Sequence, residues 1–325
     1  MISEKALNAI LMSLLFCVPL WAWVSDEPFT ITLATRAVIF ALAAVGLNVA
    51  LGLGGLVSLG HAVFFGIGGY AMGILAFHAQ TYSPLMEWPF TISGTKLMPV
   101  IWLMAILFSG AAAFIIGLLS LRTTGVYFIM ITLAFGQMFF FFAISWPAYG
   151  GEDGLSIYIR NSFPGMNTLD PIQFFGICFA ILSLVLLLNV RLVKSPFGLA
   201  LNAARQSSER VEAVGLDPFR LRLIALVISG MICGLAGALF ADLNRFVSPT
   251  MFSWQMSGEL IVFIVLGGLG RTFGPVAGAT LFVVLEHALG GIGEYFLFFL
   301  GLLLLVVVLF ARGGLYGVIT GRADR

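Results

Sequence analysis

Segments 99–120, 124–146 and 171–190 each run twenty residues or more without one charged side chain. As helix, about 20 residues cross the roughly 30 Å of hydrocarbon in a bilayer. Only helices and closed barrels satisfy every backbone polar group there, and barrel strands would alternate polar with apolar side chains, which these runs do not. The expected fold is therefore an all-α integral membrane protein. Composition agrees, because 10% of the 325 residues are charged and 60% are apolar, against roughly 25% charged in soluble proteins. Cys17, Cys178 and Cys233 lie inside apolar runs without metal-ligand spacing and read as small packing residues. The first 24 residues have the outline of a signal peptide. Trp21-Ala22-Trp23 is a poor cleavage site, however, and suits an interfacial anchor, so this stretch is taken as the first membrane helix.

About ten membrane segments are predicted, at 6–24, 30–51, 58–79, 99–120, 124–146, 171–190, 222–243, 257–269, 275–291 and 294–311, in a single transmembrane domain over 1–325. With both termini cytoplasmic, twelve of the sixteen Lys and Arg residues fall inside. They are Lys5, Arg122, the six of region 191–222, Arg271, Arg312, Arg322 and Arg325. Arg36, Lys96, Arg160 and Arg245 fall at or beyond the outer face, with Asp26, Glu27, Glu87, Glu152, Asp153 and Asp170 in or beside the outer loops. Asp170-Pro171, Ser195-Pro196, Asp217-Pro218 and Ser248-Pro249 each place a good N-cap before a proline suited to the first helical position, so four helices are expected to start there.

Glycines interrupt two segments. Leu-Gly-Gly-Leu occurs at 53–56 and again at 266–269, each time followed by another glycine and an apolar helix. This suggests an internal repeat. Gly54, Gly55, Gly267 and Gly268 either line a substrate path, where unwound backbone survives at membrane depth, or let helices pack closely. Asn48, Ser58, His61, Thr132 and Gln137 are the further polar path candidates. His61 alone among them is ionisable, with a hydrogen-bonded packing role as the alternative. Glu259, Glu286, His287 and Glu294 lie near segment ends and are not read as a proton relay. Gly150-Gly151-Glu152-Asp153-Gly154 sets two carboxylates in a glycine-rich outer turn, as a docking patch, a gate or a solvated turn. No metal spacing, phosphate-binding loop or hydrolase motif occurs, so the chain is not expected to be an enzyme or to bind metal or ATP itself. Region 191–222 divides at its caps. One short helix runs from Pro196 to about Gln206, and a second of about two turns is capped by Ser207 or Ser208 and ended by Gly215. It suits a groove in a soluble partner or a bed of lipid headgroups.

Residues 195–239, together with GLVSLGHAVFFGIGGYA (55–71), GVYFIMITLAFGQM (125–138), GGEDGL (150–155) and VLGGLGRTFGPVAGA (265–279), resemble the permease family of branched-chain amino acid ABC importers, in particular its LivM-type subunit. The resemblance covers roughly 35–290. It implies a permease fold in a bacterial inner membrane, paired as a heterodimer with a LivH-type permease. It also implies two cytoplasmic ATPases that carry ATP and Mg, and a periplasmic binding protein that delivers the ligand. Arg205, Ser208, Glu209, Arg210, Glu212, Ala213 and Gly215 would couple to an ATPase, and Glu152 and Asp153 would face the delivery side. Positions 203–208 read AARQSS where relatives often carry two acids, which bears on which ATPase fits. Related importers take urea, short amides or small aromatic acids. A different class, an ion-coupled carrier working alone, is the other alternative. Lipid contact is expected and nucleic acid is not.

Overall fold

The computed structural model describes residues 4–86, 92–289, 298, 301, 302, 305 and 313–320. The described residues are mostly helical. In order come α1 (Glu4–Val24), α2 (Pro28–Asn48) with a π-helical turn over Val49–Leu53, α3 (His61–Thr81), α4 (Met98–Ser120), α5 (Val126–Ile144) and α6 (Pro171–Lys194). They are followed by α7 (Pro196–Gln206), α8 (Ser208–Ala213), α9 (Pro218–Asn244), α10 (Trp254–Gly267), α11 (Gly274–Leu289) and a short helix at Gly314–Thr320. Among the described residues, seven helices are long and apolar enough to cross a membrane: α1 to α6 and α9. The predicted segments 257–269 and 275–291 are the 14-residue α10 and the 16-residue α11. At 1.5 Å per residue α10 reaches about 21 Å, short of a full crossing, and α11 is described as far as Leu289. Segment 294–311 falls almost wholly outside the described residues, as do Glu87, Glu294, Arg312, Arg322 and Arg325.

Helix α9 is the central pillar, packed against α2, α3 and α4. Lipid tails are as apolar as leucine, so helices in a membrane associate by close packing, and small residues allow it. A Cβ placed at Gly68 would overlap the Gly234 carbonyl, and one at Gly237 would overlap the Phe65 carbonyl. At Gly230 the added carbon would lie 2.6 Å from Ala113 Cβ. Around this pillar Phe40, Phe64, Phe65, Phe174, Phe175 and Phe263 are fully buried. Cys178 and Cys233 are buried as expected, whereas Cys17 is exposed, because α1 lies at the margin of the bundle against α2 and α6.

The predicted caps form. Asp170 accepts from Ile172 N–H, Ser195 from Gly198 N–H, and Asp217 from Phe219 and Arg220 N–H. Ser248-Pro249 departs from expectation by opening only a 3-10 turn, Pro249–Phe252, and α10 starts at Trp254 under a cap from Ser253. Two short antiparallel pairs tie the loops at the end opposite α8: β1 (Pro84–Met86) with β2 (Ile92–Ser93), and β3 (Leu155–Ser156) with β4 (Phe246–Val247).

Candidate functional site

The two glycine interruptions meet in space. Helix α2 runs into its π-helical turn, and Gly55 then takes φ +69° to send the chain toward α3. Helix α10 ends in the same way at Gly268, with φ +121°, and Gly270 follows with φ +78°. Asn48, the last residue of α2 and 2% exposed, joins them. Its Nδ2 donates to the Arg271 carbonyl at 3.0 Å, and its Oδ1 accepts from Gly270 N–H at 3.3 Å. One amide thus satisfies two backbone groups that no helical ladder can reach.

The same junction holds α7 and α8. Arg205 Nη1 donates to the Gly52 carbonyl at 2.5 Å, and its stem lies over Gly55, where a Cβ would come within 2.9 Å. Arg222 on α9 donates from Nη2 to the Ala204 carbonyl at 3.0 Å and to Ser208 Oγ at 2.8 Å. Beneath them Leu201 packs with Val49, Leu53 and Ala225 in a small separate core, and Val211 is buried. Helix α8 is capped by Ser207 and closed by Gly215 at φ +88°. It leaves Glu209, Arg210, Glu212 and Ala213 exposed, with Val214 beyond it 80% exposed. Of the residues grouped as coupling candidates, Arg205, exposed overall, also donates to the Gly52 carbonyl, and Ser208 accepts from Arg222. The others face outward.

Three of the central polar candidates, Ser58, His61 and Thr132, have hydrogen-bonding partners. His61 is fully buried, with Nε2 2.9 Å from Ser229 Oγ and its ring edge-on to Phe64. Ser58 Oγ accepts from Gly60 N–H, and Thr132 donates to the Ile129 carbonyl of its own helix. A Cβ at Gly60 would lie 2.6 Å from the Thr132 carbonyl. Ser257 Oγ accepts from Ala62 N–H, a contact invisible in sequence. Gln137 is half-buried on α5. Gly54 continues the first interruption, while Gly267 packs directly on Gly274 of the second.

At the opposite end Gly150, Gly151 and Gly154 all have positive φ, from +50° to +87°. Glycine adopts that conformation without the steric penalty a Cβ brings. The resulting turn leaves Glu152 and Asp153 exposed. Tyr149 anchors it through a 3.0 Å contact between its hydroxyl and His78 Nε2. Arg160 closes the following loop onto α9, donating to the carbonyls of Thr168, Asp242 and Leu243, with its guanidinium 4.4 Å from the Phe174 ring centre. Burial pulls its pKa below the ordinary value, and nearby Asp242 partly offsets this. Arg36, read from sequence as an outer-face basic, forms an ion pair. It meets Glu286 of α11 at 2.9 Å. Opposite charges in two separate apolar segments were the available signal.

A bundle of membrane-crossing helices in which two broken hairpins share one buried amide at their turning point has the architecture of a polytopic permease. Residues 29–308 match the family described as branched-chain amino acid transport system / permease component, and the chain belongs to that family. It is 31% identical over 298 residues to the high-affinity branched-chain amino acid transport system permease protein LivM of Escherichia coli (strain K12), covering 84% of this chain and 66% of the relative. The LivM protein of Salmonella typhimurium matches to the same extent. A probable branched-chain amino acid transport permease protein LivH of Methanocaldococcus jannaschii is 27% identical over 113 residues, covering 33% of this chain and 34% of that protein. The chain thus spans just under two thirds of the two LivM proteins. No solved structure matches it.

Proposed function

We propose that this chain is a permease subunit of an ATP-driven importer for branched-chain or related amino acids, forming half of the translocation path beside a second, LivH-type permease. Family membership supports the class. The observation that carries the mechanism is the connection from α8 to both helix interruptions. An exposed helix is tied by Ser208 to α9, by the adjoining α7 and Arg205 to Gly52, and through Asn48 to Gly270 and Arg271. ATP and Mg would be held by two ATPase subunits, one of them seated on α8 at Glu209, Arg210, Glu212, Ala213 and Gly215. Closure of the ATPases would push α8, and the push would reach the interruptions as a shift of backbone rather than of one side chain. The α8 end then lies in the cytoplasm of a bacterium, with the chain in its inner membrane. Glu152 and Asp153 face the periplasmic binding protein.

The test is reconstitution of the chain with its second permease, ATPases and binding protein. ATP-dependent leucine uptake is expected, and uptake by this chain alone on a proton or sodium gradient would overturn the reading. In the same assay Glu212→Arg should lower ATP-driven uptake at least about tenfold, because a reversed charge at a docking face costs several kcal/mol, while Tm stays unchanged. Wild-type uptake would remove α8 from the coupling path. Reversing Glu152 and Asp153 to lysine should slow uptake when the binding protein is limiting and spare it at saturation, since rim charges act chiefly on association rate. Equal rates at limiting binding protein would exclude a docking role.

A further inference from the structure

Beside the start of α5 lies a cavity of about 210 Å³, walled by Gly54 and Gly55 of the first interruption, by Thr123 and Thr124, and by Arg205 and Arg222. No Asp or Glu lines it. Neither arginine makes an ion pair among the described residues, whereas Arg36, Arg220 and Arg271 do. Each has given one nitrogen to neutral acceptors: Arg205 to the Gly52 carbonyl, and Arg222 to the Ala204 carbonyl and Ser208. Carbonyls and hydroxyls satisfy donors but do not neutralise charge. Arg222 Nε is buried with no hydrogen-bond partner. A buried N–H of a charged group left in that state is costly.

The helix adds to the same potential. Gly125 caps α5 and has no side chain to accept from its first amides. That end of a helix carries a partial charge of about +0.5. Two arginines, Arg205 exposed overall and Arg222 half-buried, and an uncapped helix start thus line one small space that holds hydroxyls and no acidic side chain. Cations are repelled from it, and an apolar ligand would leave the arginine donors unmet. The volume lies below the roughly 300–1,000 Å³ of sites for drug-sized ligands. It suits one tetrahedral or planar oxyanion, for which arginine has the matching donor geometry.

We propose that this cavity binds a single oxyanion group, a phosphate or carboxylate, between Arg205 and Arg222, and that the bound anion holds α7 against the first helix interruption. The site stands apart from the transport reading and does not depend on it. Its chemistry is met by the phosphate of an anionic lipid headgroup or by a small soluble anion, and the two sources are separable.

The full chain is placed in phosphatidylcholine nanodiscs and titrated with inorganic phosphate, and separately in nanodiscs containing phosphatidylglycerol without phosphate, with Tm as the readout. A saturable rise with phosphate assigns a soluble anion. A rise with phosphatidylglycerol alone assigns a lipid headgroup. In either arm Arg222→Gln should weaken the response at least about tenfold, as expected for losing charge-assisted hydrogen bonds. Arg220→Gln, whose side chain pairs with Asp217 at the surface, should not. If Arg222→Gln fails to fold, Thr124→Glu carries the test, because its tethered carboxylate should fill the cavity and abolish the response. No saturable rise in either disc, or an unchanged response in the folded variant, would overturn the site.

Discussion

Gly234→Leu is expected to leave almost no folded protein in the membrane. A Cβ at Gly234 would overlap the Ser109 side chain and come within 3.1 Å of the Ala105 carbonyl on α4, while the glycine's own carbonyl is the surface on which Gly68 of α3 rests. Overpacking costs about 1–3 kcal/mol where side chains can yield. Here the obstacles are Ser109 and the Ala105 carbonyl of one neighbouring helix, α4, so α4 and α9 must part, and α9 is also the pillar on which α3 rests. The expected loss therefore lies above that range, a large part of the roughly 5–15 kcal/mol that stabilises a typical protein. The measurement is monodisperse recovery in detergent together with Tm. Gly176→Ala on α6 is the control, because nothing lies within 4 Å of its added carbon, and it should match wild type. Recovery of Gly234→Leu at wild-type Tm would mean that α3, α4 and α9 do not meet at this contact.

Asn48→Leu should have the second-largest effect, on stability and transport together. Leucine keeps the branch at Cγ but can neither donate nor accept, so the change removes the two hydrogen bonds to Arg271 and Gly270, with some overpacking added by the larger side chain. An interhelical hydrogen bond in a membrane bundle averages only about 0.6 kcal/mol, because separated helices find other partners. The groups released here are backbone groups inside helix interruptions, with no ladder to rejoin. The penalty for an orphaned buried group, about 1–3 kcal/mol, is the applicable figure. Tm should fall accordingly. If the two interruptions move as a unit during transport, uptake by the assembled complex should fall about tenfold, the equivalent of 1.4 kcal/mol. Wild-type Tm and uptake in Asn48→Leu would show that the amide is not what joins them.

Much of this framework was legible in the sequence because its causes are local. Asp170, Ser195 and Asp217 cap helices within three residues of themselves, and the positive φ in the 150–154 turn favours glycine locally, although a Cβ at Gly154 would also meet the Val247 carbonyl at 2.5 Å. The Leu-Gly-Gly-Leu pairs marked both interruptions for the same reason. Sequence was less informative about roles. His61, a path candidate with a packing role as its alternative, lies against Ser229, and Arg205, a coupling candidate, is exposed and also donates to the Gly52 carbonyl. A polar residue in an apolar run shows that a partner must exist, and nothing local says which one.

The sequence by itself determined a helical membrane protein, most of its helix starts, the two places where the helices break and the family to which they belong. Capping, glycine conformation and hydrophobic length all act over a few residues. Only the tertiary structure decided that the two breaks form one junction, that Arg205 and Arg222 flank a common cavity, and that Arg36 pairs with Glu286. Arg205 and Gly52, Asn48 and Arg271, and Arg36 and Glu286 lie 153, 223 and 250 residues apart along the chain. Contacts at that separation depend on how the helices pack around α9, and packing leaves no periodic signal at either partner.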